Sequence, residues 1–309
     1  VEMRNFIDLC GEGEWFVGSR GGSADHAAIR TGRIGQVSRI GFFPFRREGE
    51  VNVPGDLRIV VAHSGSEAVK SAGARDVFNQ RVACYEIAHL LLRRSWPPAA
   101  GAEHLRDLTP ERLKVRPGEL YRALMRLPAR PTRTVLRRLV DPSDRDRLEG
   151  IFATHASQGA YGLRGVALYG LGEIVRSERF VECMEQDDRA TIGRFMRISH
   201  DGDRGHRMAS DGRMKRHNMR LTDRDLLALA ERDADLADQP GRYACSTLAI
   251  DQLVDLASRT PGVVGAQLAG AGLGLRGIRL GAGRTGPEEA LLRRYDRPGC
   301  RSRPRVEAD

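Results

Sequence analysis

No stretch constrains this chain more than Gly18-Ser19-Arg20-Gly21-Gly22-Ser23-Ala24-Asp25-His26-Ala27-Ala28, a glycine-rich bend running into small residues. Without a Cβ, glycine lets the backbone turn tightly and come close to a ligand. Ser23 and Ala24 lead to Asp25, and Ala27-Ala28-Ile29 can continue as a helix. Asp25 therefore falls where a loop becomes a helix, beside N–H groups that lack intrahelical partners and favour negative charge. Two readings fit: an ordinary turn whose Asp steadies a helix start, or a loop presenting a carboxylate to a ligand.

The flanking pattern mixes helices and strands. Val1 to about Cys10 reads as the last turns of a helix entering the bend, and Asp25 to about Gly32 as the helical turns after it. Strands are expected at Val37–Phe45 and at Leu57–Ala62, the latter a β-branched run bounded by Gly55-Asp56 and Ser64-Gly65. From Asp76 to about Arg94, Phe78, Val82, Tyr85 and Leu92 recur at helical spacing. Trp96-Pro97-Pro98 through Glu103 has the composition of a linker, followed by short helical pieces at Leu105–Leu108 and Pro117–Pro128. Ser143 to about His200 is mostly helical, whereas Asp201–Arg220 is basic, poor in large apolar residues and expected to be a mobile surface loop. Thr222 caps a helix over Asp223–Asp235, with Asp225 completing a capping box. Val263–Gly274 reads as a strand feeding a glycine turn, and no apolar run follows Leu275.

A chain of 309 residues can bury the core of one large domain or two smaller ones. No apolar run approaches the roughly 20 residues of a bilayer span, so no membrane association is expected. The opening Val1-Glu2-Met3-Arg4 has no leader pattern, and a start at Val points to a beginning inside a longer reading frame. The five cysteines are scattered with no Cys-x-x-Cys pair, which argues against a disulfide scaffold or zinc site and suits a cytoplasmic protein. The net charge of +9 invites nucleic acid. Yet it is carried almost wholly by arginine interleaved with acids, as in Asp141–Arg147, so no specific nucleic-acid partner is expected. His200, His206 and His217 with Asp201, Asp203 and Asp211 match no metal-binding spacing, so no metal ligands are assigned.

Three stretches carry a resemblance. Gly11-Glu12-Gly13-Glu14-Trp15-Phe16-Val17-Gly18 through His26 resembles the catalytic stretch of galactokinase-type sugar kinases, with His26 where Gln is usual. These belong to the galacto-, homoserine, mevalonate and phosphomevalonate (GHMP) kinase superfamily. Asp76-Val77-Phe78-Asn79-Gln80-Arg81 through Glu86 resembles the galactokinase helix Tyr-Asn-x-Arg-x-x-x-x-Glu. Tyr243–Val254 and Val263–Gly274 resemble the stretches Val-Ser-x-x-Glu-Leu-Asp-x-Leu-Val and Gly-x-Lys/Arg-x-Thr-Gly-Ala-Gly-Phe-Gly-Gly. Together the matches span most of residues 11–274 and point to the galactokinase or L-arabinokinase branch.

The resemblance implies an α+β, two-domain GHMP-kinase-like fold, truncated at the N-terminus, with a ferredoxin-like C-terminal domain. Residues 1–62 would be the remnant of the N-terminal domain carrying the catalytic Asp loop, 63–275 the C-terminal domain, and 276–309 a disordered or frame-shifted tail. The implied activity is transfer of phosphoryl from ATP, with Mg²⁺, to the anomeric hydroxyl of a galactose- or arabinose-class sugar. Asp25 is the implied catalytic base, Gly22, Asp25 and Phe78 the implied substrate-binding residues, and Gly270, Gly272 and Gly274 the support of the phosphate loop. Phe78 stands where many members carry a sugar-binding Tyr; a plain core role fits it equally. The phosphate-binding loop and the Mg²⁺ ligands belong upstream of this chain, so the fragment is expected to be inactive alone. A non-catalytic sugar-binding regulator on the same fold is the alternative.

Overall fold

The computed structural model describes residues 3–16, 18, 20–42, 44–64, 72–270, 276–282 and 306–308. In chain order these form α1 (Met3–Phe16), α2 (Ala24–Thr31), β1 (Gln36–Gly41), β2 (Arg46–Asn52), β3 (Leu57–His63), α3 (Ala72–Ser95), α4 (Pro110–Leu113), α5 (Pro117–Met125) and α6 (Arg133–Leu139). There follow α7 (Arg145–Ala153), α8 (Leu163–Glu185), α9 (Arg189–Asp203), β4 (His206–Met208), β5 (Met214–Arg216), α10 (Asp223–Glu231), α11 (Leu248–Ser258), β6 (Val263–Ala269), β7 (Arg276–Ala282) and β8 (Val306–Ala308). Contacts gather the chain into two compact units, one of residues 1–69, 177–217 and 245–309, the other of 70–176 and 218–244.

The first unit holds all the strands among the described residues. β1 and β2 form an antiparallel hairpin, and a four-stranded sheet runs in the order β6-β7-β3-β8. β3 pairs antiparallel with β7 from Leu57↔Ala282 to His63↔Arg276. The sequence gives residues 276–309 the character of a disordered or frame-shifted tail. Within that stretch β7 nevertheless occupies an inner position of the sheet, because ladder bonds are made by backbone groups and need no apolar run.

α9 lies on β6. A Cβ at Gly193 would fall 2.0 Å from the Val264 carbonyl oxygen, so only glycine lets the helix come this close. Beside this contact Ile192 and Met196 of α9 join Met184 and Val51 in one buried cluster, with Phe180 and Val264 against it. α11 contributes Ile250, Val254 and Ala257, which meet Ala266 of β6.

The second unit is helical. α3 buries Ala83, Cys84, Ile87, Ala88 and Leu92, whereas Phe78, Val82 and Tyr85, whose spacing marked the expected apolar face, are half-buried, so the buried face is turned from the expected one. α10 packs on α5, where the Gly118 N–H donates to Asp233 Oδ1 at 2.8 Å and the Tyr121 hydroxyl donates to the Ala234 carbonyl at 2.9 Å. The Thr222 capping box forms as expected: the Asp225 N–H donates to Thr222 Oγ1 at 3.2 Å and the Thr222 N–H to Asp225 Oδ2 at 2.8 Å. The stretch after Trp96 does not behave as a linker. Trp96, Ala99 and Ala102 are buried, and Pro97–Ala99 close a 3₁₀ turn. The prolines shape that turn rather than loosen the chain.

Candidate active site

The glycine-rich bend leaves α1 and turns back on itself before α2. The Gly18 N–H donates to the Trp15 carbonyl at 3.0 Å, and Trp15 Nε1 donates to the Gly21 carbonyl at 3.1 Å. The Arg20 guanidinium lies 4.9 Å from the Trp15 ring centre, a cation–π contact that holds the bend against the indole. Ser23 is fully buried beneath it. A Cβ at position 11 would come within 2.8 Å of the Ser23 Cβ, so Gly11 in α1 makes room for the start of α2.

Ser23 is the N-cap, and the first helical bond runs from the Ala27 N–H to the Ser23 carbonyl at 2.9 Å. The sequence's helix after the bend is thus α2, and Asp25 stands in its first turn with an exposed side chain. There the unpaired N–H groups and the positive end of the helix favour an anion. His26 is half-buried, with Nε2 3.8 Å from Glu14 Oε1. Gly22 is exposed, and a Cβ there would meet nothing within 4 Å, so the backbone before Asp25 is open to an approaching molecule.

Phe78 is half-buried on α3, in the helical unit. Gly270 follows β6 with φ +82°, a left-handed turn that suits glycine. Gly272 and Gly274 lie outside the described residues. Two of the matched stretches do meet in the helical unit: Arg81 Nε donates to the Tyr243 carbonyl at 2.5 Å. Tyr243 is sandwiched between Tyr85 and Tyr169, with ring centres 5.9 and 5.0 Å away.

Sequence reasoning missed a buried polar network in the strand-bearing unit. The stretch after His200, expected to be a mobile surface loop, completes α9 and forms the β4–β5 hairpin. Asp251 of α11 is fully buried; its Oδ2 accepts the N–H groups of Gly205 at 2.9 Å and His206 at 2.7 Å. His200 Nε2 lies 3.3 Å from Asp251 Oδ1. Burial works against the Asp251 carboxylate, but His200, Ser246 and the His206 N–H outweigh it and hold its pKa below the usual carboxylate value. Arg204 pairs with Asp255 at 3.0 Å and with Asp201 at 2.7 Å. Charged groups stand in place of large apolar residues here, and they anchor α9, the hairpin and α11 to one another. The usable signal was the density of Asp and His around 200–206 together with Asp251 and Asp255 one helical turn apart.

No family model matches the chain, and no curated protein matches it by sequence. Among solved structures it is similar to Lactococcus lactis galactokinase complexed with galactose, with a TM-score of 0.60 and 16% identity. The fold is galactokinase-like. The likeness covers 98% of this chain and 57% of the galactokinase chain, so the chain spans little more than half of that protein's length. Among the described residues no helix is long and apolar enough to cross a membrane.

Proposed function

We propose that this chain is the part of a galactokinase-like sugar 1-kinase of the GHMP superfamily that carries the base. The supporting observation is the exposed Asp25 carboxylate at the start of α2, beside the open backbone of Gly22, on a galactokinase-like fold. In this reading Asp25 orients the anomeric hydroxyl of a galactose- or arabinose-class sugar. It accepts the proton as that oxygen takes the phosphoryl group from ATP. Gly22 lets the sugar approach the main chain, and Gly270, Gly272 and Gly274 support the phosphate loop. The proposed layout keeps 1–62 as the remnant of an N-terminal domain and 63–275 as a ferredoxin-like C-terminal domain, in a cytoplasmic protein.

ATP and Mg²⁺ belong to elements that the resemblance places outside this chain. Among the described residues no three His, Cys, Asp or Glu side chains converge on a metal position. In this reading the chain's chief contribution is to the acceptor sugar, and the fragment alone is proposed to be inactive. In a polypeptide that also carries the phosphate-binding half, Asp25→Ala should lower turnover by about 10²-fold or more while ATP affinity stays within about twofold. Full activity of that variant would refute the role given to Asp25.

A further inference from the structure

In the helical unit, a cavity of about 170 Å³ opens where α3 meets the end of α6 and the 3₁₀ turn Pro142–Asp144. One side of it is apolar. Leu90 and Val140 are buried there, Leu91 is half-buried, and Leu139, which also lines it, is 52% exposed. The other side is charged, with Arg94 of α3 facing Asp141 and Asp144.

The charges do not cancel. Arg94 Nε donates to Asp144 Oδ2 at 3.2 Å and its Nη2 to Ser143 Oγ at 2.8 Å, while Nη2 lies 3.9 Å from Asp141 Oδ1. Asp141 Oδ1 also accepts the Ser143 N–H at 2.9 Å and its hydroxyl at 2.6 Å. These Ser143 bonds, with the charges of Arg94 and Arg145, hold the Asp141 carboxyl below the usual carboxylate value, so it is ionised at neutral pH. Two carboxylates against one guanidinium leave the lining with a formal charge of −1. Among the described residues no hydrogen bond reaches Asp141 Oδ2 or Asp144 Oδ1. A clasp between α3 and the turn accounts for Arg94 and Asp144; surplus negative charge beside an apolar wall is what suits a ligand.

We propose that this cavity binds a small aliphatic primary amine as its ammonium ion. The alkyl chain lies against Leu90, Leu91, Leu139 and Val140, and the head sits on the uncommitted oxygens of Asp141 and Asp144. An ammonium carries three donors, so it can serve both carboxylates while Arg94 keeps its own bonds. One positive charge also brings the lining to neutrality. Size sets the length of the chain: a cavity of about 150 Å³ holds a six-carbon ring, so this one takes a head group and about five carbons.

The proposal uses residues of the helical unit alone and holds whether or not Asp25 is a base. Its test is a calorimetric and NMR titration of the purified chain with n-pentylammonium at pH 7, where the amine is charged as a lysine is. Saturable binding with a Kd of about 1 mM is expected, inside the ceiling for a six-atom ligand, with shifts at the Leu91 and Val140 amides. Affinity should fall about fourfold for each CH₂ removed from the chain, and n-pentanoate should bind at least about 10-fold more weakly. Asp141→Asn and Asp144→Asn keep the shape of the rim and should each weaken the amine by about fivefold, with thermal melts that match the parent. No saturation by about 50 mM would overturn the proposal. So would pentanoate binding as well as the amine, or binding indifferent to both Asn variants. Leucine binding more tightly than n-pentylammonium would overturn it too, because the cavity would then read both charges of a zwitterion.

Discussion

Gly193 is where α9 and β6 touch backbone to backbone, so alanine at that position measures how much the sheet depends on the helix lying close. The new Cβ would stand 2.0 Å from the Val264 carbonyl oxygen and 3.1 Å from its carbonyl carbon. Comfortable contact begins near about 3.5 Å, so the helix would have to retreat by about 1.5 Å. A retreat of that size would also loosen Ile192 and Met196 in the buried cluster they share with Val51 and Met184. Overpacking of this kind costs about 1–3 kcal/mol, and the upper end applies because the obstacle is backbone and cannot swing aside. Alanine's better helix propensity offsets about 1 kcal/mol. The net expectation is a loss of about 2 kcal/mol, seen as a fall of roughly 4–8 °C in the melting of the strand-bearing unit. Gly150 in α7 supplies the control: a Cβ there meets nothing within 4 Å, so Gly150→Ala should gain up to about 1 kcal/mol. Urea unfolding followed by circular dichroism, with hydrogen exchange of the β6 amides, reads both. A Gly193→Ala protein as stable as the parent would refute the packing argument.

Other outcomes follow from the same contacts. His155 is buried, with Nε2 2.8 Å from the Tyr161 hydroxyl and Nδ1 3.0 Å from Thr154 Oγ1; burial, aided by the Arg133 charge, pushes its pKa down to about 4. An unfolded histidine titrates near about 6.5, so its contribution is complete above that pH and is lost as pH falls towards 4. The full loss is about 3 kcal/mol, of which about 2 kcal/mol should separate urea titrations at pH 7 and 5, and the difference should shrink in His155→Gln. Arg204→Met would leave Asp255 buried without its cation and should cost about 3–5 kcal/mol by the same titration. Burial pushes the Cys84 thiol up to about 12, so a thiol reagent at neutral pH should label the half-buried Cys10 well before Cys84, as peptide mapping would show.

Local signals were legible where one element carries its own reason to form. α3 follows from its apolar spacing, β3 from its β-branched run, and α2 from the small residues after the bend. The same local signals put Asp25 at a helix start, where α2 begins. Strand β2 was not legible because Arg46–Asn52 is mostly charged. It pairs with β1 through its backbone and through ion pairs such as Arg39–Glu48 at 3.0 Å. Nor was the network around Asp251 legible. Asp251 and His200 lie far apart in sequence, and each by itself reads as an ordinary surface residue until the fold removes water from both.

The strand order β6-β7-β3-β8 has a consequence for synthesis. β3 emerges early, yet both strands that flank it come from the far end of the chain. Leu57 waits for Ala282, about 225 residues later, which at about 5–20 residues per second is about 10–45 s on the ribosome. Until then β3 has two open edges in a crowded cell, and whatever shields them during that interval decides how much of this protein is ever made correctly.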